Sequence, residues 1–352
     1  MKIHEKYIKR CISLARNGLG NTYPNPMVGS VVVQNNRIIG EGWHQKAGLP
    51  HAEVNAINAV ADESLLPQST IYVSLEPCSH FGKTPPCSDL IIAKGIKKVV
   101  IGTVDPFAKV AGKGIKKLLD AGCEVAVGIL EKECQELNKR FFTFHNAKRP
   151  FIILKWAQTN DGFIAPESKE NRDPVWITGS TSRQLVHKWR AEEQAILVGT
   201  NTVIADNPKL NTRLWDGSDP VRIVLDRKGR IPKASAVLDG SVETIVLTEN
   251  SDSYSAEYTQ QAEKLILEVL DFDKQIAPQI CEVLYRNELQ SIIIEGGART
   301  LQSFIDAGLW DEARVFTGKT IFNSGTESPQ LKGKLIDEQE IGNDNLKIYI
   351  ND

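Results

Sequence analysis

Residues 51–104 read HAEVNAINAVADESLLPQSTIYVSLEPCSHFGKTPPCSDLIIAKGIKKVVIGTV, and this run decides the fold class. Residues 51–61 carry helical spacing, IYVSL at 71–75 is a strand, 88–94 is a helix and KKVVIGTV at 97–104 is a second strand. Strands alternating with helices predict an α/β unit, a sheet with helices on both faces. Toward the N-terminus, Ile3, Tyr7, Ile8, Cys11, Leu14 and Ala15 recur at helical spacing until Gly18 and Gly20. GSVVVQNNRIIGEG, starting at Gly29, predicts a hairpin that turns at Asn35-Asn36. Toward the C-terminus come a helix at 113–121, a strand at 123–129 and one long amphipathic stretch at 131–145. The polar segment His145–Pro150 is a candidate linker. Beyond it FIILKWA, AILVG, RIVLD, TIVLT and SIIIEGG read as strands, with helices at 180–190, 275–286 and 299–307. Their continuous β-branched runs predict parallel strands covered on both faces. No repeat relates the halves, so the expected domains are 1–147 and 148–352.

Composition excludes several classes. Of 352 residues, 41% are hydrophobic and 24% charged, the balance of an ordinary globular chain. Lys and Arg total 42 against 44 Asp and Glu, a net charge of −2, which argues against a generally basic nucleic-acid binder and an acidic tail. No apolar run reaches the roughly 18 residues of a membrane span, and the first residues lack the apolar core of a signal peptide. Six cysteines are too few for a disulfide scaffold, so a cytoplasmic location is expected. Cys11, Cys123, Cys134 and Cys281 sit in apolar patterns and read as core.

The chemistry concentrates in His51-Ala52-Glu53, Pro77-Cys78 and Cys87. One imidazole and two thiolates make a three-ligand zinc site, one zinc per chain, with the fourth tetrahedral position left to water. Zinc lowers the pKa of that water. Glu53 stays off the metal and shuttles protons. Taken singly, the cysteines read equally as core and His51 as a surface or capping residue; the fixed offsets together favour metal. The set resembles the zinc nucleoside and nucleobase deaminases, whose signature is H-x-E…P-C-x-x-C. It departs in one respect: eight residues, not two, separate the cysteines. With HAEVNAI, PCSHFGKTPPC, PNPMVG at 24–29, GWHQKAGLPHAE at 42–53 and VDPFAKVAGKG at 104–114, it is similar to the pyrimidine deaminases of riboflavin biosynthesis. The resemblance implies a cytidine-deaminase-like α/β/α sandwich and puts Asn25 in the pyrimidine pocket, where a plain Pro-Asn-Pro turn is the other reading. His44, His80, Lys83, Lys113 and Asp105 are weaker substrate candidates.

The second half carries linked motifs: Lys155–Gly162, Trp176–Gly179, a helix with Arg183 and Arg190, Ala205–Arg213 and Glu295–Thr300. Glu-Gly-Gly between a strand and a helix lets backbone approach a ligand and offers helix N–H groups to a phosphate, though it also serves as a tight turn. It is not G-x-G-x-x-G. Together the motifs resemble the riboflavin-pathway reductases, whose fold is dihydrofolate-reductase-like. The resemblance assigns Ala157, Trp176, Thr202, Asp206, Thr248 and Gly297 to an NADPH site. It assigns Lys155, Arg190, Leu210, Arg213 and Glu295 to the substrate; guanidinium suits a ribose phosphate. Pro174 stands where these reductases often have Ser, Thr159 replaces the Ser of Ser-x-Asp-Gly, and 318–325 has lost glycines. The resemblance implies a bifunctional enzyme on a phosphorylated pyrimidine, without nucleic-acid or membrane partners, as a homodimer or homotetramer. Two alternatives stay open: a deaminase with a catalytically degenerate second half, and a structural zinc module with a fourth ligand such as His80.

Overall fold

The structure is a computed structural model that describes residues 2–79, 85–107, 110–168, 175–254 and 264–351. It divides into two compact units, 1–148 and 149–352.

The first unit runs α1 (Lys2–Ala15), β1 (Gly29–Gln34), β2 (Arg37–Trp43), α2 (Ala52–Asn58), β3 (Thr70–Leu75), α3 (Cys87–Ala93), β4 (Lys98–Thr103), α4 (Lys113–Asp120), β5 (Glu124–Val127), α5 (Glu131–Leu137) and α6 (Lys139–Ala147). Its five strands lie in the order β2-β1-β3-β4-β5. The β1–β2 and β1–β3 pairs are antiparallel, and β3, β4 and β5 are parallel. Asn35 and Asn36 both take positive φ at the hairpin turn, as a two-residue turn matched to strand twist requires.

Strand alternation divides the core. Val31, Val33, Tyr72 and Val100 face Tyr7, Ile8 and Cys11 of α1 and Cys134 of α5. Val32, Ile71, Val73, Val99 and Ile101 face Ala56, Ile57, Ile91 and Leu118 on α2, α3 and α4. The long stretch predicted from residue 131 onward is two helices, parted at Asn138. That side chain accepts from Met27 N at 2.8 Å and donates to Met27 O at 2.9 Å, so it serves the 25–29 segment rather than a helix. The second helix continues through Ala147, which leaves Lys148–Pro150 as the connection instead of the predicted six residues.

The second unit runs β6 (Phe151–Gln158), β7 (Phe163–Pro166), α7 (Ser180–Glu192), β8 (Ala195–Gly199), α8 (Thr200–Asp206), β9 (Val221–Leu225), β10 (Thr244–Thr248), β11 (Leu265–Val269), α9 (Ile276–Arg286), β12 (Ser291–Ile294), α10 (Ala298–Asp306), β13 (Glu312–Thr317), β14 (Gly325–Glu327), β15 (Lys334–Ile341) and β16 (Asp344–Ile350). Nine strands form a sheet in the order β11-β10-β9-β8-β12-β6-β13-β16-β15. From β11 to β13 it is parallel, as the apolar runs predict. The β13–β16 and β16–β15 pairs are antiparallel, which corrects the all-parallel expectation. Ile152, Leu154, Leu197 and Ile294 pack with α9 and α10, while Ile153, Ile196, Val198 and Ile293 pack with α7 and α8.

No helix among the described residues is long and apolar enough to cross a membrane.

Candidate active site

In the first unit, three elements end at one point. His51 occupies the N-cap of α2 in extended conformation, Cys78 follows β3 by three residues, and Cys87 opens α3. Their ligand atoms all lie within 4.8 Å of one another. His51 Nδ1 is 3.3 Å from Cys87 Sγ and 3.6 Å from Cys78 Sγ. The Cys87 N–H donates to Cys78 Sγ at 3.3 Å. A hydrogen bond with Cys87, outweighing burial, holds the Cys78 thiol down at about 4; as the donor of that pair, Cys87 is raised. One nitrogen and two sulfurs at this spacing fit a zinc ion with three protein ligands. Among the described residues no fourth side chain joins the group. His80 and Lys83 lie outside the described residues.

Glu53 sits in the first turn of α2 and is 3% exposed. Burial, reinforced by Cys78, pushes its carboxyl up to about 7. Asn25 reaches the same locality through His44. His44 Nδ1 donates to the Pro50 carbonyl at 3.2 Å, so its Nε2 accepts from Asn25 Nδ2 at 3.1 Å. The His44 ring stands edge-on to His51, centroids 5.3 Å apart. Asp105 is also buried, and desolvation, aided by Glu76 and Cys78, lifts its carboxyl to about 7. Lys113 is exposed at the start of α4.

In the second unit, a cleft of about 1280 Å³ opens at the carboxyl ends of the parallel strands. Ala157, Trp176, Thr202, Asp206 and Gly297 line it, as do Lys155, Arg190, Leu210, Arg213 and Glu295. Thr248 does not: its side chain is fully buried, with its hydroxyl 3.2 Å from the Arg227 carbonyl. Its hydroxyl therefore braces the turn after β9. The Gly296-Gly297 step brings backbones together. A Cβ at Gly296 would stand 2.5 Å from Gly199 N, and Gly297 takes a φ of 30°.

A charged cluster occupies the cleft. Arg190 Nη2 donates to Glu295 Oε2 at 2.7 Å, and Lys155 Nζ is 3.8 Å from Glu295 Oε1. Burial alone would raise the Glu295 carboxyl, but Arg190 and Lys155 outweigh it and hold it at about 2. Burial also lowers the Lys155 ammonium. Sequence reasoning missed His187, which lies one turn before Arg190 and accepts from the Arg213 N–H at 3.1 Å. Burial, with Arg190 and Arg213, lowers it to about 4. Arg183, on the same helix, places its guanidinium 4.5 Å over the Trp176 ring. The i, i+3 spacing of His187 and Arg190 was the available signal. The Thr159–Gly162 motif holds the 318–325 segment: Asp161 accepts from the Asn323 N–H at 2.8 Å, and Thr320 O accepts from the Asn160 N–H at 2.9 Å. Pro174 lies outside the described residues.

The model of the RibD C-terminal domain matches residues 150–345, and that of the cytidine and deoxycytidylate deaminase zinc-binding region matches residues 1–103. The riboflavin biosynthesis protein RibD of Aquifex aeolicus is 41% identical over 339 residues, which is 96% of this chain and 93% of that protein. The chain belongs to the RibD family. The RibD of Escherichia coli is 35% identical over 334 residues, 91% of this chain and 89% of that one. Among solved structures, the Thermotoga maritima diaminohydroxyphosphoribosylaminopyrimidine deaminase/5-amino-6-(5-phosphoribosylamino)uracil reductase superposes with a TM-score of 0.88 at 37% identity, covering 100% of this chain and 99% of that one. Acinetobacter baumannii RibD superposes at 0.89 with 34% identity and the same coverage. Like the RibD proteins, the chain joins a zinc-dependent deaminase to a reductase of riboflavin biosynthesis, a hydrolase and an oxidoreductase in sequence.

Proposed function

We propose that the chain catalyses two consecutive steps: hydrolytic deamination of 2,5-diamino-6-(5-phosphoribosylamino)pyrimidin-4-one, then NADPH-dependent reduction of the ribosyl group to ribityl. The observation that carries the reading is the convergence of His51, Cys78 and Cys87 beside the buried, unligated Glu53.

His51, Cys78 and Cys87 would hold the zinc. When bound, the ion supplies Lewis acidity that makes water nucleophilic near neutral pH. Glu53 takes one proton of the attacking water and hands it to the ring nitrogen, then takes the second from the resulting hydroxyl and hands it to the departing amine. Its raised pKa of about 7 suits both transfers. The ring loses ammonia and gains a carbonyl. With its Nδ2 committed to His44, Asn25 presents its Oδ1 as an acceptor for N–H groups of the pyrimidine.

In the second unit NADPH supplies hydride when bound. Ala157, Trp176, Thr202, Asp206 and Gly297 are the residues assigned to hold it. Arg190, Arg213 and Leu210 orient the phosphorylated sugar. Lys155 and Glu295, both lining the cleft, are the two candidate proton sources. Glu295, held at about 2, stays ionised and accepts only. Lys155, with its ammonium made more acidic by burial, is the donor to the opened sugar oxygen.

The test uses the full chain loaded with zinc. Supplied with the diaminopyrimidine, it should release one ammonia per turnover, and NADPH oxidation should follow only after deamination. Deamination without NADPH consumption on the deaminated intermediate would leave a deaminase with an inactive second half. No ammonia release with zinc bound would end the first assignment.

A further inference from the structure

Glu76 lies between the last residue of β3 and the Pro77-Cys78 pair, and it is 4% exposed. A buried carboxylate is unfavourable unless other groups replace its water. Here the replacements are main-chain N–H groups from beyond β4. Oε2 accepts from Gly112 at 2.9 Å and Asp105 at 3.3 Å. Oε1 accepts from Gly114 at 2.8 Å and Ile115 at 3.3 Å. Gly114 also presses on the metal-ligand limb: a Cβ there would stand 2.0 Å from the Pro77 carbonyl oxygen. One side chain thus gathers the backbone at Asp105, Gly112, Gly114 and Ile115 against the peptide that leads to Cys78.

We infer that Glu76 is a positioning residue of the deaminase, fixing Asp105, Gly112, Gly114 and Ile115 and the Cys78 limb in one geometry so that ligand and substrate wall move together. All four partners are donors, so both oxygens must accept. Glutamine would turn an NH₂ group toward one pair of N–H groups, leaving them unmet. The substrate half of this inference rests on the deamination reading above; the zinc half does not.

The experiment compares Glu76→Gln with the parent in the full-length chain. Zinc affinity is read by competition with a chromophoric chelator, deamination by KM and kcat, and reduction serves as the internal control of folding. The zinc dissociation constant should rise about 10- to 100-fold, the usual effect of removing a partner behind the ligands, with KM rising about tenfold and reduction unchanged. A second variant, Gly112→Ala, strains the loop alone, because Gly112 has a φ of 76° and a Cβ there meets nothing within 4 Å. It should raise KM and, because wall and ligand limb share one geometry, weaken zinc binding too, by less than Glu76→Gln does. Parent-like zinc affinity and KM in Glu76→Gln overturn the inference, even if the melting temperature falls. Should Glu76→Gln fail to fold its first unit, Gly112→Ala decides: parental zinc affinity overturns the inference, a loss of affinity together with a raised KM sustains it. A parent chain that binds zinc but does not deaminate counts against the proposed reaction; the chelator measurement then decides the Glu76 inference, parental affinity overturning it.

Discussion

Glu53 is a buried carboxylate and Glu295 a nearly buried one, both in ligand-facing positions, and they end at opposite extremes. Burial raises each. Around Glu53 the thiolate of Cys78 adds to that effect and the carboxyl reaches about 7. Around Glu295 the ammonium of Lys155 and the guanidinium of Arg190 reverse it, and the carboxyl falls to about 2. Burial is common to both, so the neighbours set the difference: one carboxyl is poised near neutrality, the other stays an anion among cations.

The largest expected effect tests the proton-carrying half of this contrast. Glu53→Gln should lower deamination by about 10²–10⁴-fold while zinc stays bound and reduction proceeds at the parental rate. Metal analysis and the two assays on one preparation check it; retained deamination would make Glu53 an ordinary buried side chain.

The next tests the organising half. Arg190→Met leaves Glu295 with Lys155 at 3.8 Å, and breaking such a buried pair should cost about 3–5 kcal/mol in the second unit's denaturant transition. Deamination should not change.

A third uses pH. The folded pKa of Glu295, about 2, lies below its ordinary 4.5, so its contribution to stability is complete above about 4.5 and is lost as pH falls toward 2. The stability gap between parent and Glu295→Gln should be widest above that window and shrink within it. A gap that is constant with pH would contradict the depressed pKa.

The smallest effect belongs to an ion pair without burial. Arg10 and Glu41 bond at 2.5 Å, yet their side chains are 42% and 39% exposed. Arg10→Ala should cost under about 1 kcal/mol, and the loss should fade in high salt.

Much of this contrast was legible in the residues. Apolar runs such as Phe151–Ala157 and Ser291–Ile294 announced strands because both sheet faces are covered. His51, Glu53, Cys78 and Cys87 announced a site because each lies at the end of an element whose type its residues reveal. What was hidden depended on the fold. β15 was missed because seven of its eight residues are exposed, so no apolar alternation marked it. α8 was missed because TNTVIAD is short and rich in β-branched residues, poor helix formers on their own. Glu76 closes an apolar strand, and nothing local reveals that its acceptors meet donors some 30–40 residues away. His187 gave only its spacing from Arg190. The place of Thr248 in a motif says nothing about which way its hydroxyl turns, and the bond to the Arg227 carbonyl shows only in the structure.

The near-contact of Gly296 with Gly199 has a consequence for how this protein could diversify. Backbone meets backbone there, and even one methyl group would wedge β8 and β12 apart at the bottom of the reductase cleft. The base of that chamber is therefore as thin as two peptides allow and has no spare room to vary. New tastes in cofactor or sugar would have to arise from the surrounding rim, at positions such as Trp176, Leu210 and Arg213, while the floor stays bare.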